Sequence, residues 1–157
     1  MRKQFAESIA ALGLQDGRVH LITGDVGGAM FDTFRALCPR RHIEFGIAEQ
    51  SMVGFAAGMA IAGLRPIVYT ITPFLLERAF EQVKLDIDFQ KLPVGLVGYA
   101  DYPTYGPSHN ELDALSMTGM FRNIQAKFPA SVDGLIRAMK SIDYERPWFI
   151  SLKKVPA

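Results

Sequence analysis

Short apolar runs and amphipathic helical patterns alternate along the whole chain. Six apolar runs of strand length are bounded by polar residues, Gly or Pro, and they predict strands over residues 18–23, 41–45, 65–71, 92–99, 123–128 and 147–152. Helical spacing of apolar residues predicts helices over residues 1–13, 31–38, 48–62, 75–89, 111–117 and 131–142. The helix over residues 75–89 has its apolar face at Leu76, Phe80, Val83 and Ile87.

This alternation predicts one doubly wound α/β domain over residues 1–157, with a mostly parallel sheet and helices on both faces. Ligands of such sheets bind beyond the carboxyl ends of the strands. We therefore expect the functional residues in the loops that follow the first four strands, which cover residues 24–30, 46–50, 70–74 and 100–111.

Composition narrows the class of protein. The 157 residues carry a formal net charge of +1, with Lys and Arg scattered along the chain, which argues against a nucleic-acid partner. Cys38 is the only cysteine, so the sequence predicts neither a disulfide framework nor a cysteine metal cluster. The longest uncharged apolar stretch, residues 51–64, contains three glycines and is too short for a membrane span. Since the first residues do not resemble a signal peptide, we expect a cytoplasmic protein without membrane contact.

One acid, Glu49, lies in the first turn of the otherwise apolar helix predicted over residues 48–62. Such an acid usually stabilises the helix N-terminus. Its Ala, Gly, Met and Phe neighbours, however, would bury the carboxyl group, and burial favours the protonated form. A buried acid beside a helix N-terminus is therefore also suited to sharing a proton with a ligand.

The segment around Glu49 resembles the pyrimidine-binding domain of the transketolase family of thiamine diphosphate enzymes. The motifs "GIAEQ", "GLRPIV", "RAFEQV" and "KLPV" follow one another in the family's order, and "YGPSH" resembles the family's Gly-Pro-Thr-His segment. The resemblance covers roughly residues 23–115, and within the family the sequence is most similar in character to transketolase, 1-deoxyxylulose-5-phosphate synthase and the β subunits of 2-oxoacid dehydrogenases.

The resemblance implies a cofactor role for four residues. The glutamate that matches Glu49 hydrogen-bonds N1′ of the aminopyrimidine and passes it a proton, which activates the thiazolium carbon for attack on a substrate carbonyl. Ile47, in the same "GIAEQ" segment, is expected at the cofactor. An aromatic side chain stacks on the pyrimidine, and alignment places Phe74 there. Because "TITPFLLER" is one residue longer than the synthase-type pattern, Tyr69 is the alternative, and an ordinary core role remains open for either ring.

The resemblance also implies substrate contacts. His109 matches a histidine that touches the substrate or the covalent intermediate, although a loop histidine can also be solvated or cap the next helix. Asp25 follows the first strand near the expected substrate channel and could instead cap a helix. Arg78 begins the "RAFEQV" motif and is the third expected substrate residue.

The sequence departs from phosphosugar transketolases at three places. Ala100 stands where they have a phosphate-binding histidine, and Tyr105 stands where they have an aspartate. A serine expected beyond Asp25 is replaced within residues 28–30. These changes favour a smaller or less charged acceptor.

The sequence also lacks the family's Gly-Asp-Gly and Asn signature for the diphosphate and Mg²⁺, since its only Gly-Asp is followed by Val26. We therefore expect no metal ligands here, and we expect the diphosphate-binding and C-terminal transketolase domains to be absent. A partner subunit would then hold Mg²⁺ and the diphosphate in an α2β2 heterotetramer, with Gly54 and Gly58 at a subunit contact.

The sequence thus predicts one subunit of a split transketolase-like enzyme. It would help transfer a two-carbon ketol or acyl unit from a ketose or 2-oxo acid to an aldehyde-type acceptor. Two alternatives remain open: an E1β-like subunit of a 2-oxo acid decarboxylase or dehydrogenase, and a non-catalytic partner that retains the fold.

Overall fold

A six-stranded sheet forms the centre of the computed structural model, which describes residues 1–99, 105–110 and 113–153. Its strands are β1 (Val19–Gly24), β2 (His42–Gly46), β3 (Arg65–Ile71), β4 (Gly95–Tyr99), β5 (Gln125–Lys127) and β6 (Trp148–Leu152). The strand order is β2-β1-β3-β4-β6-β5, and every pairing between these strands is parallel. The predicted doubly wound α/β sheet is confirmed.

Helices cover both faces of the sheet. They are α1 (Arg2–Gln15), α2 (Asp32–Leu37), α3 (Glu49–Ile61), α4 (Thr72–Leu76), α5 (Phe80–Gln82), α6 (Ala114–Gly119) and α7 (Val132–Ser141). Short 3₁₀ turns cover Gly28–Phe31 and Pro107–His109, and a π-helix covers Val83–Asp88. Among the described residues, no helix is long and apolar enough to cross a bilayer.

Two apolar cores lie on opposite faces of the sheet, because successive strand residues point to opposite sides. On one face, α1, α2 and α7 pack on residues that include Leu21, Tyr69 and Trp148. On the other face, α3, α4 and the π-helix pack on Ile22 and Val68, with other strand residues. Both faces are therefore covered, as a parallel sheet requires.

Two glycines are needed for local geometry. At Gly95 an added Cβ would lie 2.2 Å from the Trp148 ring, so a side chain there would displace the indole. Gly46, at the end of β2, has a φ of +70°, a conformation that strains residues with side chains. This turn leads the chain directly from β2 into α3 and so fixes where α3 begins.

The largest error in the predicted elements concerns residues 75–89. The single amphipathic helix is wrong: α4 ends at Leu76, α5 begins at Phe80, and the chain then continues as a π-helix. The predicted apolar face is nevertheless correct, since Leu76, Val83 and Ile87 are buried. Periodicity detected the buried side chains but not the break in the backbone.

Smaller differences occur near the end of the chain. Helix α6 begins after Asp113, whose carboxylate accepts a hydrogen bond from the Leu115 N–H at 3.0 Å and caps the helix. The helix predicted over 111–117 therefore begins too early, and residues 111–112 lie outside the described residues, as does Ala100. The strand predicted over 123–128 is shortened to β5.

Candidate active site

An open cleft of about 380 Å³ lies beyond the carboxyl ends of β1 and β3. The chain leaves β1 for β2 on one side and later enters β3 on the other, so the cleft lies where the strand order reverses. Its volume is within the range of small-molecule sites. The lining residues come from the loops after four strands and from α3 and α4: Asp25, Val26, Ile47, Glu49, Thr70, Ile71, Phe74, Arg78, Ser108 and His109.

Glu49 is the buried acid of the cleft. It is the first residue of α3, and only 3% of the residue is exposed. The preceding residue, Ala48, provides no side-chain cap, so the positive end of the helix dipole faces the carboxylate. Its Oε2 also accepts a hydrogen bond from Nη1 of Arg78 at 2.8 Å. The helix end and the guanidinium together compensate a negative charge that burial alone would make costly.

Phe74 and Arg78 form a second contact in the cleft. They lie four residues apart, and the Arg78 Cζ lies 3.9 Å from the centroid of the Phe74 ring. This is the geometry of a cation–π interaction. The chain breaks between α4 and α5 at this point, and the backbone N–H of Arg78 donates to the Pro73 carbonyl at 3.1 Å. The break therefore places a side chain that contacts both Phe74 and Glu49.

His109 also packs against the Phe74 ring. The two ring centroids are 4.9 Å apart at an interplanar angle of 68°, an edge-to-face contact. Tyr105 lies on another side of the imidazole, with ring centroids 5.5 Å apart, and the Ser108 hydroxyl is 3.1 Å from Nδ1. These contacts hold the imidazole at the mouth of the cleft, where a bound molecule could reach it.

Asp25 and Ile47 lie at the rim. Asp25 is exposed and follows β1, while 75% of Ile47 is exposed, which leaves an apolar surface for a ligand or another chain. Six of the seven predicted site residues thus line one cleft: Asp25, Ile47, Glu49, Phe74, Arg78 and His109.

Tyr69 is the exception, and the structure contradicts it as the stacking residue. It is 1% exposed, and its ring packs with Phe5 and Phe31 in the core on the other face of the sheet. Its hydroxyl accepts a hydrogen bond from Nε of Arg2 at 2.9 Å. Tyr69 points away because it neighbours Thr70 on β3, and adjacent strand residues face opposite sides.

Thr70 is the site residue that sequence reasoning missed. It is 1% exposed, lines the cleft, and its hydroxyl has no hydrogen-bond partner among the described residues. A buried hydroxyl without a partner is costly, and such groups recur where a ligand completes the hydrogen bonding. The available signal was a polar residue near the carboxyl end of an otherwise apolar strand.

These residues fit the aminopyrimidine half of thiamine diphosphate. That ring system is flat, carries hydrogen-bonding groups on its edge, and needs an acid beside it and an aromatic face. The cleft offers the Glu49 carboxylate, the Phe74 ring, the apolar Ile47 and the unpartnered Thr70 hydroxyl. Among the described residues, no group of three or more His, Cys, Asp or Glu side chains is arranged to hold a metal ion.

Comparison with known proteins agrees with this geometry. The family description "Transketolase, pyrimidine binding domain" matches residues 1–155. One of the two subunits of the apulose-4-phosphate transketolase of Actinobacillus succinogenes is 37% identical over 124 residues, which cover 75% of this chain and 40% of that protein. The 1-deoxy-D-xylulose-5-phosphate synthase of Synechococcus elongatus is 35% identical over 154 residues, which cover 92% of this chain and 23% of that protein.

Solved structures are similar as well. A split-gene transketolase in an inactive β4 tetramer superposes with a TM-score of 0.82 at 25% identity, covering 99% of this chain and 52% of that one. The chain spans less than half of the length of the two curated relatives above. Because the family description matches nearly the whole sequence, the chain belongs to the transketolase family as a pyrimidine-binding domain.

Proposed function

We propose that this chain is the pyrimidine-binding subunit of a split, transketolase-like thiamine diphosphate enzyme. The observation that carries the proposal is the Glu49 carboxylate, which is 3% exposed and shares a cleft with the Phe74 ring and the His109 imidazole. The names of two relatives support the split arrangement, since one is a separate subunit of a transketolase and another is a split-gene transketolase.

In this proposal each cleft residue has a separate task. Thiamine diphosphate, when bound, supplies the carbon nucleophile that accepts and passes on a ketol or acyl unit. Glu49 holds the pyrimidine edge and shares a proton with it, which an amide could not do. Phe74 stacks on the ring, and Ile47 keeps water from that proton. His109, Asp25 and Arg78 contact the substrate from the mouth of the cleft.

A second polypeptide completes the site in this proposal. It would carry the Mg²⁺ and the diphosphate, because a diphosphate needs a metal and oxygen ligands. An α2β2 assembly is proposed, with α3 at a subunit contact: Gly54 and Gly58 keep its surface low, and Phe55 and Ile61 are large exposed apolar residues on the same helix. A cytoplasmic location remains part of the proposal.

The reaction class follows from the relatives and the cleft. We propose transfer of a two-carbon ketol or acyl unit to an aldehyde-type acceptor. The relatives' names include both a sugar-phosphate transketolase and a deoxyxylulose-phosphate synthase, so the donor class covers ketoses and 2-oxo acids. A non-catalytic partner role is disfavoured by the buried Glu49, whose burial would be costly without a function.

The proposal is tested with the Glu49→Gln variant in the reconstituted complex. The shape of the side chain is preserved, so assembly and unfolding should resemble the wild type. Loss of acid–base catalysis should lower turnover by about 10²–10⁴-fold. Glu81→Gln, at an exposed position on α5, is the matched control and should retain activity. Wild-type turnover by the Glu49→Gln complex would refute the proposed role.

A further inference from the structure

One side chain already makes both contacts that the aminopyrimidine is proposed to make. The Arg78 guanidinium lies over the Phe74 ring at 3.9 Å and donates a hydrogen bond to the Glu49 carboxylate at 2.8 Å. A guanidinium is planar, stacks on aromatic faces and presents N–H donors along its edge. An aminopyrimidine protonated on its ring nitrogen has the same three properties.

We infer that Arg78 is an internal stand-in for the pyrimidine, which occupies the Phe74 and Glu49 contacts until the cofactor displaces it. This inference rests on the proposed function, because it concerns the same cleft and the same cofactor. It adds a competition within the chain: the cofactor and Arg78 cannot both stack on that face of Phe74 and bond that oxygen of Glu49.

The electrostatics of the cleft explain why such a stand-in is useful. Glu49 is 3% exposed, and a carboxylate at that depth needs a compensating partner. Arg78 supplies one when the cofactor is absent. Its side chain is 38% exposed, so it can move outward without unfolding the helices around it. The Thr70 hydroxyl, which Arg78 leaves without a partner, remains for the ligand.

The competition lowers cofactor affinity by a predictable amount. A ligand that binds only the open arrangement has its dissociation constant multiplied by the inverse of that arrangement's population. If Arg78 occupies the contacts about nine-tenths of the time or more, removing its guanidinium should tighten binding about tenfold or more. The direction is unusual, since removing a cation from a site for an anionic cofactor normally weakens binding.

The experiment uses the full chain and the compound 4-amino-5-hydroxymethyl-2-methylpyrimidine, which is the pyrimidine half of the cofactor without its diphosphate. Its dissociation constant is measured by NMR titration for the wild type, Arg78→Ala and Arg78→Lys. Arg78→Ala should bind about tenfold more tightly or better. Arg78→Lys should gain less, because lysine keeps the charge without the flat stacking group. Arg137→Ala, at an exposed position on α7, is the matched control and should bind like the wild type.

A double variant identifies the acid as the shared partner. In Arg78→Ala combined with Glu49→Gln, the gain should disappear, because the pyrimidine has lost the carboxylate for which Arg78 competed. Binding by Arg78→Ala that is equal to or weaker than the wild type, or absent in both, overturns the inference. A gain that survives in the double variant also overturns it.

A second measurement on the wild-type chain does not depend on the variant folding. The Nε–Hε resonance of Arg78 should shift when the pyrimidine compound saturates the site, and an unchanged resonance at saturation overturns the inference. The proposed function is judged separately, by the Glu49→Gln variant in the complex. If turnover needs Glu49 while Arg78→Ala gives no gain, only the displacement of Arg78 is refuted.

Discussion

Asp88 provides the strongest stability prediction for this chain. It is the last residue of the π-helix and is 6% exposed, and its carboxylate accepts three backbone hydrogen bonds from the segment before β5. Oδ1 accepts from the N–H groups of Asn123 at 2.7 Å and Ile124 at 3.0 Å, and Oδ2 accepts from Arg122 at 3.0 Å. The side chain of Asn123 donates to the Asp88 carbonyl at 2.9 Å. Asp88 thus ties the π-helix to the edge of the sheet.

Replacing Asp88 by Ala removes three hydrogen bonds to a charged acceptor. Each is worth about 1.5–3 kcal/mol in a buried setting, and Arg122 and its neighbours are partly exposed, so about 1–1.5 kcal/mol per bond is the appropriate range. We therefore expect Asp88→Ala to lower the free energy of unfolding by about 3–4 kcal/mol. Asp88→Asn should lose roughly half of that, because its amide oxygen still accepts two bonds while its NH₂ faces the Arg122 N–H.

Urea unfolding followed by circular dichroism measures this effect. With a slope of about 2 kcal/mol per molar urea, the midpoint of Asp88→Ala should fall by roughly 1.5–2 M. Asp86→Ala, two residues earlier on the same π-helix, is the matched control and should change stability by less than about 1 kcal/mol. Hydrogen exchange at residues 122–124 should accelerate in Asp88→Ala alone. A loss below about 1 kcal/mol in Asp88→Ala would show that these bonds do not hold the edge strand.

Three further predictions concern single residues. Thr70→Val, which replaces the unpartnered hydroxyl by a methyl group, should stabilise the chain by about 1 kcal/mol in urea unfolding and weaken pyrimidine binding in the NMR titration; a loss of stability would contradict the assignment. His109→Ala in the reconstituted complex should raise KM for substrate more than the Kd of thiamine diphosphate, and equal losses would contradict a substrate role. Burial and the nearby Arg35 lower the pKa of His42 from its usual 6.5. Because the unfolded chain then binds the extra proton first, stability should be complete above about pH 6.5 and should fall as the pH decreases below it. His42→Gln should flatten this fall in unfolding experiments near about pH 7.5 and about pH 5.5, and an unchanged slope would exclude His42 as its cause.

The sequence predicts the sheet well for a physical reason. Strands covered on both faces must be apolar at nearly every position, so each appears as a continuous apolar run. All six predicted strands exist, and the parallel order follows from the helices between them. Backbone breaks are harder to see, because the interruption between α4 and α5 leaves the helical spacing of Leu76, Val83 and Ile87 intact.

Contacts between distant segments could not be predicted in the same way. Glu49 and Arg78 lie 29 positions apart, and Asp88 lies 34–36 positions from its backbone donors. No local pattern marks either pairing, since both exist only once the strands have set the spacing of the loops. The choice between Phe74 and Tyr69 failed for a related reason: alternation along β3 separates Tyr69 from Thr70, but it does not say which face borders the cleft.

The Glu49 contacts suggest how this chain tolerates a buried acid. A carboxylate at this depth is destabilising unless another group compensates it. In the proposed exchange, Arg78 compensates it before the cofactor binds, and the pyrimidine does so afterwards, so Glu49 keeps a partner in both states. The free energy of cofactor binding is then reduced by the contacts that Arg78 gives up, and an acid suited to proton transfer is preserved in a chain that folds before it meets its cofactor.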